Sequence, residues 1–164
     1  MECKIIFLLI ALVPYVYSYS AGAPESECVD MTPRHHVEPQ TTPFPYNILI
    51  SKRQIRAGET VEVTIQGKTA KDTIKGLLVQ ARVGNTPIGT FDASASSQYI
   101  QLLNCGNSKG SAITHKKIEN PPQSIKFYWT APKGLKEKVT FFATVALNGG
   151  TFWTQQKSET LSVN

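Results

Sequence analysis

Hydrophobic and polar residues alternate along four segments of the chain, residues 61–66, 77–83, 125–130 and 139–147. Alternation with a period of two is typical of a β-strand that buries one face and exposes the other. The positions on the apolar side are Val61, Val63, Ile65, Leu77, Val79, Ala81, Val83, Ile125, Phe127, Trp129, Val139, Phe141, Ala143, Val145 and Leu147. These segments therefore predict strands whose apolar faces meet in a common core.

Turn-forming residues separate the segments, and none of the sequence after residue 18 shows a helical period with capping residues. The clearest turn is Asn148-Gly149-Gly150, which lies between a long alternating segment and residues 151–154. A short Asn/Gly turn between two such segments indicates a β-hairpin. Several short strands at this spacing predict an all-β fold, in which two antiparallel sheets pack face to face as a β-sandwich. A closed barrel is the alternative.

Residues 1–18 predict a secretory signal peptide, because Lys4 precedes an apolar run and the small residue Ser18 suits the cleavage site. The apolar run is about nine residues long and too short to span a bilayer, so no transmembrane anchor is expected. Residues 19–164 then form a single domain. Residues 21–45 contain five of the ten prolines and no apolar period, which predicts an irregular, proline-rich N-terminal arm.

Three cysteines are present, and cleavage of the leader would remove Cys3 and leave Cys28 and Cys105. In a protein exported to an oxidising compartment, two remaining cysteines favour one disulfide between them. Two free or intermolecular thiols are the alternative. Two cysteines are also too few for a structural zinc site, which takes four ligands.

Motifs for catalysis or cofactor binding are absent from the sequence, including the nucleophile elbow, the zinc-protease pair and the glycine-rich phosphate loops. We therefore expect no catalytic residues, no cofactor and no metal. A transition-metal site built from two of the histidines His35, His36 and His115 together with Asp30 or Glu38 is the alternative. Adjacent residues on an extended chain point to opposite sides, so His35 and His36 suit joint metal binding poorly.

The chain carries 17 basic and 12 acidic residues, which gives a formal net charge of +5. This surplus is modest, and no RNA-binding motif or recognition helix accompanies it, so nucleic acid is not an expected partner. Residues 109–138 hold seven lysines against two glutamates, and residues 51–82 hold seven basic residues against three acidic ones. The candidate anion-binding residues are Lys109, Lys116, Lys117, Lys126, Lys133, Lys136 and Lys138. They predict salt-sensitive attraction to an anionic surface or, alternatively, a merely solvated face.

Two aromatic residues, Tyr128 and Phe142, fall on the side of their strands opposite to the apolar positions. Exposed aromatic rings could contact a sugar or an acyl chain. We expect instead that both lie under the N-terminal arm. Gln80 and Arg82 also fall opposite to the apolar positions of their strand, and we expect these polar side chains to face solvent.

Several motifs in this order resemble the reeler domain, and the resemblance covers nearly all of residues 19–164. The motifs are Gly-Leu-Leu-Val-Gln-Ala-Arg at 76–82, Cys105, Thr114-His115, Phe-Tyr-Trp-Thr-Ala-Pro at 127–132 and Phe-Phe-Ala-Thr-Val at 141–145. The leading residues 20–24, followed by Cys28, Asp30, Met31 and Pro33, are similar to the small single-domain reeler proteins of insects. The resemblance implies a secreted, immunoglobulin-like β-sandwich with a Cys28–Cys105 bridge, and it supplies no catalytic residues.

The same resemblance implies a role in innate immunity, either antimicrobial action or binding of microbial surface components so that blood cells aggregate around them. We therefore expect a secreted protein, not an enzyme, that binds polyanions such as lipopolysaccharide through the lysines of residues 109–138. The sequence carries no signal for an oligomeric state. An extracellular matrix-type interaction domain that binds a host glycan or protein is the alternative.

Overall fold

The computed structural model describes residues 19–164, so the predicted signal peptide at residues 1–18 lies outside the described residues. The described residues form eleven strands and two short 3₁₀ turns, Glu25–Cys28 and Ser94–Ser96. The strands are β1 (Tyr46–Ile50), β2 (Gln54–Ile55), β3 (Thr60–Gly67), β4 (Gly76–Val83), β5 (Thr86–Pro87), β6 (Thr90–Asp92), β7 (Ile100–Cys105), β8 (Ser108–His115), β9 (Ser124–Thr130), β10 (Lys138–Asn148) and β11 (Thr151–Val163). No helix in this part of the chain is long and apolar enough to cross a membrane.

The strands form two sheets. One has the order β1-β3-β9-β6, and the other has the order β2-β11-β10-β4-β8-β7, with the short β5 beside β4. Every pairing is antiparallel except that of β2 with β11. Each sheet ends in two free edges, so the described chain forms a sandwich and not a closed barrel. The predicted all-β, immunoglobulin-like sandwich is confirmed.

The core lies between the two sheets and is filled by the apolar positions that the alternation predicted. Trp129 and Phe127 of β9 are fully buried; Trp129 meets Phe141 from the opposite sheet, and Phe127 meets Phe91 from the neighbouring strand β6. The rings of Trp129 and Phe141 lie 5.5 Å apart at nearly a right angle, an arrangement that aromatic pairs prefer. Gly89, at a φ of +72°, leaves room for the Trp129 indole beside the backbone.

The predicted hairpin at Asn148-Gly149-Gly150 is confirmed, because β10 ends at Asn148 and β11 begins at Thr151. The first residues of β11 bury an aromatic ring on each face of the sheet. Trp153 joins the core between the sheets, whereas the fully buried Phe152 meets the edge of His35 in the N-terminal arm.

The central strands of the larger sheet are buried on both faces, because the N-terminal arm covers their outer side. The consequence is clearest on β4, where every residue from Gly76 to Arg82 is buried. The expectation that Gln80 and Arg82 face solvent is therefore wrong: their side chains are 0% and 5% exposed. The expected burial of Phe142 beneath the arm is confirmed.

Candidate functional site

The N-terminal arm packs on the outer face of the larger sheet through a second, smaller apolar cluster. Cys28 and Met31 of the arm contribute to it, and the strands below contribute Leu78, Cys105, Ala112 and Phe142. The predicted disulfide between Cys28 and Cys105 is confirmed and joins the arm to the end of β7. The alternative of two free thiols is excluded. Met31 is 1% exposed, so the arm buries its own apolar residues and behaves as an additional layer of the fold.

Backbone carbonyls of the arm are hydrogen-bonded to polar side chains that project from the sheet. The hydroxyl of Thr144 donates to the Met31 carbonyl at 2.7 Å, and the Gln155 amide donates to the Asp30 carbonyl at 2.6 Å. The arm has little regular backbone pairing of its own, so these side chains supply the partners that its buried carbonyls need.

Arg82 is a buried cation beneath the arm with no carboxylate partner among the described residues. Its Nη2 donates to the carbonyls of Cys28 and Val29 at 3.0 and 3.2 Å, and its Nε donates to the Gln80 side chain at 2.7 Å. Burial lowers the pKa of Arg82 from its ordinary value, although an arginine remains charged at neutral pH. Carbonyl oxygens therefore take the place of a counter-ion.

A cavity of about 250 Å³ lies between the arm and one end of the larger sheet. Its walls are largely apolar and come from Ala23, Pro24 and Met31 of the arm and from Leu78, Ile118 and Ala146 of the body. Polar side chains line the remainder, namely those of Glu27, Thr32, Arg34, His35, Lys75, His115, Lys117 and Thr144, together with Asn148. An apolar cavity with a few converging polar groups is the usual form of a small-ligand site.

His115 links the first described residue of the arm to the sheet at the edge of this cavity. Its Nε2 lies 3.1 Å from the Tyr19 carbonyl, and its Nδ1 lies 3.2 Å from the Leu77 amide nitrogen. Nδ1 lies equally far, 3.2 Å, from the Leu77 carbonyl oxygen. A neutral ring with its proton on Nε2 lets Nε2–H donate to Tyr19 while Nδ1 accepts from the Leu77 amide. Burial is the main cause that holds the pKa of His115 below its ordinary value of 6.5, which favours this neutral form.

An ion-pair cluster within the arm closes another side of the cavity. Arg34 lies 3.2 Å from the carboxylate of Glu27 and 2.8 Å from that of Asp30. A hydrogen bond from the Thr32 backbone amide, together with the charge of Arg34, holds the pKa of Asp30 below its usual value. Arg34 is thus compensated by carboxylates of the arm itself.

The three histidines do not assemble the metal site considered as an alternative. His35 and His115 both line the cavity, whereas His36 is exposed at a φ of +57°. Within residues 19–164, no group of three or more histidine, cysteine, aspartate or glutamate side chains could hold a metal ion. We therefore assign His35 and His115 to the walls of the cavity.

Four of the seven candidate lysines lie at one end of the sandwich, where β10 begins. Lys133 and Lys136 belong to the connection between β9 and β10, and Lys138 is the first residue of β10. The register from β10 through β4 to β8 places Lys109 at the same end of the larger sheet as Lys138. All four are exposed. Among the residues that the structure describes, none of the four forms an ion pair.

The other three lysines lie elsewhere and have partners. Lys116 and Lys117 follow β8 at the opposite end, where Lys116 donates to the Ser97 carbonyl at 2.7 Å and Lys117 pairs with Glu119 at 3.0 Å. Lys126 lies on the outer face of the smaller sheet and pairs with Glu62 at 3.1 Å. The structure therefore does not bring the seven lysines together in one patch.

Three backbone segments meet beside Lys133, Lys136 and Lys138. The amide of Ala131 donates to the Glu59 carbonyl at 3.0 Å, and the amide of Val163 donates to the Glu137 carbonyl at 3.0 Å. A β-carbon added at Gly58 would lie 3.7 Å from Cγ of Lys133, so the loop that carries the exposed Arg56 packs against the β9–β10 connection. We name Arg56, Lys133, Lys136 and Lys138 the basic end.

Tyr128 is only partly buried, and it lies on the outer face of the smaller sheet between Glu62 and Asp92. The expectation that it lies under the arm is therefore wrong, because the arm covers the other sheet. The cavity has no signal in the sequence, since its walls come from an arm without periodicity and from strand faces that were expected to be exposed to solvent.

Several known proteins are similar to this chain over most of its length. The family model described as the Reeler domain matches residues 26–164. "Putative defense protein Hdd11" of Hyphantria cunea is 44% identical over 160 residues, which cover 96% of each chain. "Putative defense protein 2" of Antheraea mylitta is 43% identical over 138 residues, which cover 83% of this chain and 85% of that protein.

A solved structure shares the fold at much lower sequence identity. The Reelin-N domain of F-spondin superimposes with a TM-score of 0.64 at 14% identity, over 85% of this chain and 97% of that one. This likeness concerns the arrangement of strands.

Proposed function

This chain belongs to the Reeler domain family, and from that premise we propose that it is a secreted defence protein that binds anionic polymers on microbial surfaces. Lipopolysaccharide is the model ligand, and aggregation of blood cells around the coated microbe is the proposed outcome. The protein acts by adhesion and not by catalysis. Full-length similarity to insect proteins named as defense proteins supports the defence role.

The observation that carries the binding proposal is the basic end. Its three lysines and Arg56 are exposed, while Glu59 and Glu137 are the acidic residues in the same loops. Exposed cations without fixed partners can exchange their water for phosphate or carboxylate groups at little cost, and such attraction weakens as salt rises. Lys117 and Lys126 each lie beside a glutamate whose charge offsets theirs, and Lys116 lies apart from the basic end, so we assign these three lysines a smaller contribution to attraction of a polyanion.

Two triple variants with the same change in net charge test this assignment. The first is Lys133→Gln, Lys136→Gln and Lys138→Gln, and the second is Lys116→Gln, Lys117→Gln and Lys126→Gln. A lysine near an anionic lipid surface contributes roughly 1 kcal/mol, so the first variant should weaken lipopolysaccharide binding by about ten- to a hundredfold at low salt. The second variant should bind within about threefold of wild type, because these lysines are dispersed and two of them lie beside glutamates that offset their charge.

The measurement is binding to immobilised lipopolysaccharide over a series of sodium chloride concentrations. Equal losses in the two variants, or binding indifferent to salt, would reject the basic end as the adhesive surface. The same measurement on immobilised heparin distinguishes the proposed function from the host-directed alternative. A matrix-type module should prefer the sulfated host glycan to the microbial polymer.

The defence role has its own test. Levels of the secreted protein should rise in the source organism after bacterial challenge, and purified protein should promote aggregation of blood cells with bacteria. An unchanged level together with no aggregation would contradict the defence role and leave the fold assignment intact.

A further inference from the structure

We propose that the cavity beneath the N-terminal arm binds a small anionic amphiphile, a medium-chain carboxylate whose hydrocarbon chain enters the cavity and whose head remains at the rim. This site is separate from the basic end, and the inference does not depend on the proposed defence function.

The walls of the cavity suit a hydrocarbon chain. Met31 and Leu78 are buried, and Ala146 of β10 presents its small side chain on the face that the arm covers. Gly76 lies next to Ala146, since a β-carbon added at Gly76 would meet the Ala146 methyl at 3.0 Å. Small residues at both positions therefore keep this part of the space open, and larger ones would fill it.

The volume sets the length of the chain. An apolar protein cavity of about 150 Å³ is known to bind benzene, which has six carbons. By proportion, the 250 Å³ cavity takes a chain on the order of ten carbons. Each methylene removed from water contributes about 0.8 kcal/mol, which corresponds to roughly fourfold in affinity.

The charges at the rim select the head group. Lys75 and Lys117 are exposed residues of the lining. The Lys75 ammonium donates to the Ile118 carbonyl, and Lys117 pairs with Glu119 through side chains that are each 71% exposed. A pair so exposed is weak and exchangeable, so both ammonium groups can turn toward a carboxylate. The remaining cation of the lining, Arg34, is already held by Glu27 and Asp30.

A ligand series on the wild-type protein is the first test. Isothermal titration calorimetry with hexanoate, octanoate, decanoate and dodecanoate should show affinity rising about fourfold per methylene and levelling off near ten carbons. Decanoate should bind more tightly than decan-1-ol, and decyltrimethylammonium should bind most weakly. No saturable binding of decanoate up to about 1 mM, the weak end of the usual affinity scale, would overturn the proposal. Equal affinities for decanoate, decan-1-ol and decyltrimethylammonium would overturn the claim that the site selects an anionic head group.

Variants locate the ligand. Ala146→Leu should fill the cavity and weaken decanoate binding at least about tenfold, whereas Thr140→Leu, on the same strand and outside the lining, should not. Circular dichroism and thermal melting check that both variants fold. Unchanged decanoate binding in a folded Ala146→Leu protein would place the ligand elsewhere and contradict the proposal.

Two double variants separate head-group recognition from the basic end. Lys75→Gln with Lys117→Gln should weaken binding of decanoate and leave that of decan-1-ol unchanged. Lys133→Gln with Lys136→Gln should leave decanoate binding unchanged and weaken lipopolysaccharide binding. If decanoate binding were unchanged in the Lys75/Lys117 variant and weakened in the Lys133/Lys136 variant, the rim assignment would be contradicted. A loss of lipopolysaccharide binding with decanoate binding unchanged would leave the cavity proposal standing.

Discussion

The guanidinium carbon of Arg82 lies 5.0 Å from the centre of the Phe142 ring, and both side chains are buried beneath the arm. Arg82 supplies hydrogen-bond donors to the carbonyls of Cys28 and Val29. Arg82→Ala should lower the free energy of unfolding by about 2 to 4 kcal/mol, because it leaves buried carbonyl oxygens without partners. Urea unfolding measures this loss.

Lys157 provides the matched control, because its ammonium lies 5.2 Å from the centre of the same ring. Lys157 is exposed and donates to no arm carbonyl among the described residues. Lys157→Ala should cost less than about 0.5 kcal/mol, as is usual for surface sites. Equal losses at the two positions would show that stacking on Phe142, and not the bonds to the arm, stabilises this region.

Gly89 is a backbone position that has no room for a side chain. A β-carbon there would lie 2.4 Å from Nε1 of Trp129, and the φ of +72° belongs to the left-handed region. Gly89→Ala should destabilise the protein by about 3 kcal/mol or more, since overpacking and backbone strain add. Thermal and urea unfolding of the purified variant check this value.

Gly84→Ala is the control for the backbone contribution alone. Gly84 has a φ of +58°, and an added β-carbon would meet no atom within 4 Å. The expected loss is about 1 kcal/mol, the cost of the left-handed conformation. If Gly84→Ala proves as damaging as Gly89→Ala, then contact with Trp129 is not the cause.

The Cys28–Cys105 disulfide closes a loop across a sequence separation of 77 residues. Chain-entropy arithmetic for a loop of this length gives a stabilisation of about 4 to 5 kcal/mol. The double variant Cys28→Ser and Cys105→Ser should lose that amount in guanidinium unfolding, and added reductant should then have no further effect. A reductant-sensitive double variant, or wild-type protein unaffected by full reduction, would contradict this prediction.

Acid should weaken the fold through His115. Burial lowers its pKa below 6.5 in the folded state, so between that lower value and 6.5 the unfolded chain binds more protons than the folded one. The contribution of His115 is therefore complete above about pH 6.5 and is lost as the pH falls toward the folded pKa. Urea unfolding between about pH 7.5 and 5.5 measures the slope.

The slope should disappear in His115→Gln and persist in His36→Gln, since His36 is exposed. A slope that survives the loss of His115 would mean that another group governs stability in this range of pH.

Periodicity predicted the body of the sandwich well because its strands have one face in the core. Val61, Val63 and Ile65 of β3 are all buried, and the residues between them are only partly buried. The same physical rule failed for β4, where both faces are covered. A strand covered on one side by an irregular arm keeps polar residues such as Gln80 and Arg82, because these satisfy carbonyls of the arm. Alternation alone cannot distinguish such a strand from a half-exposed one.

The candidate site was only partly predictable for a related reason. Counting lysines along the chain located a basic stretch, but strand order decides which of them are neighbours. The connection after β9 returns to the end where β10 begins, so Lys133 and Lys138 lie together, whereas Lys117 is at the far end of β8. The cavity depends on how the arm is placed, and only long-range contacts fix that placement.

The hairpin of β10 and β11 also dictates when the arm can dock during synthesis. The Gln155 side chain donates a hydrogen bond to the Asp30 carbonyl, and the backbone amide of Gln40 donates to the carbonyl of Phe152. The arm leaves the ribosome first, but its docking is complete only after β11, the last strand, has been synthesised. Until then Cys28 is held near Cys105 only by contacts with β4 and β8. Docking of the whole arm is thus a late step, and a chain released before its final strand would lack the partners of Asp30 and Gln40.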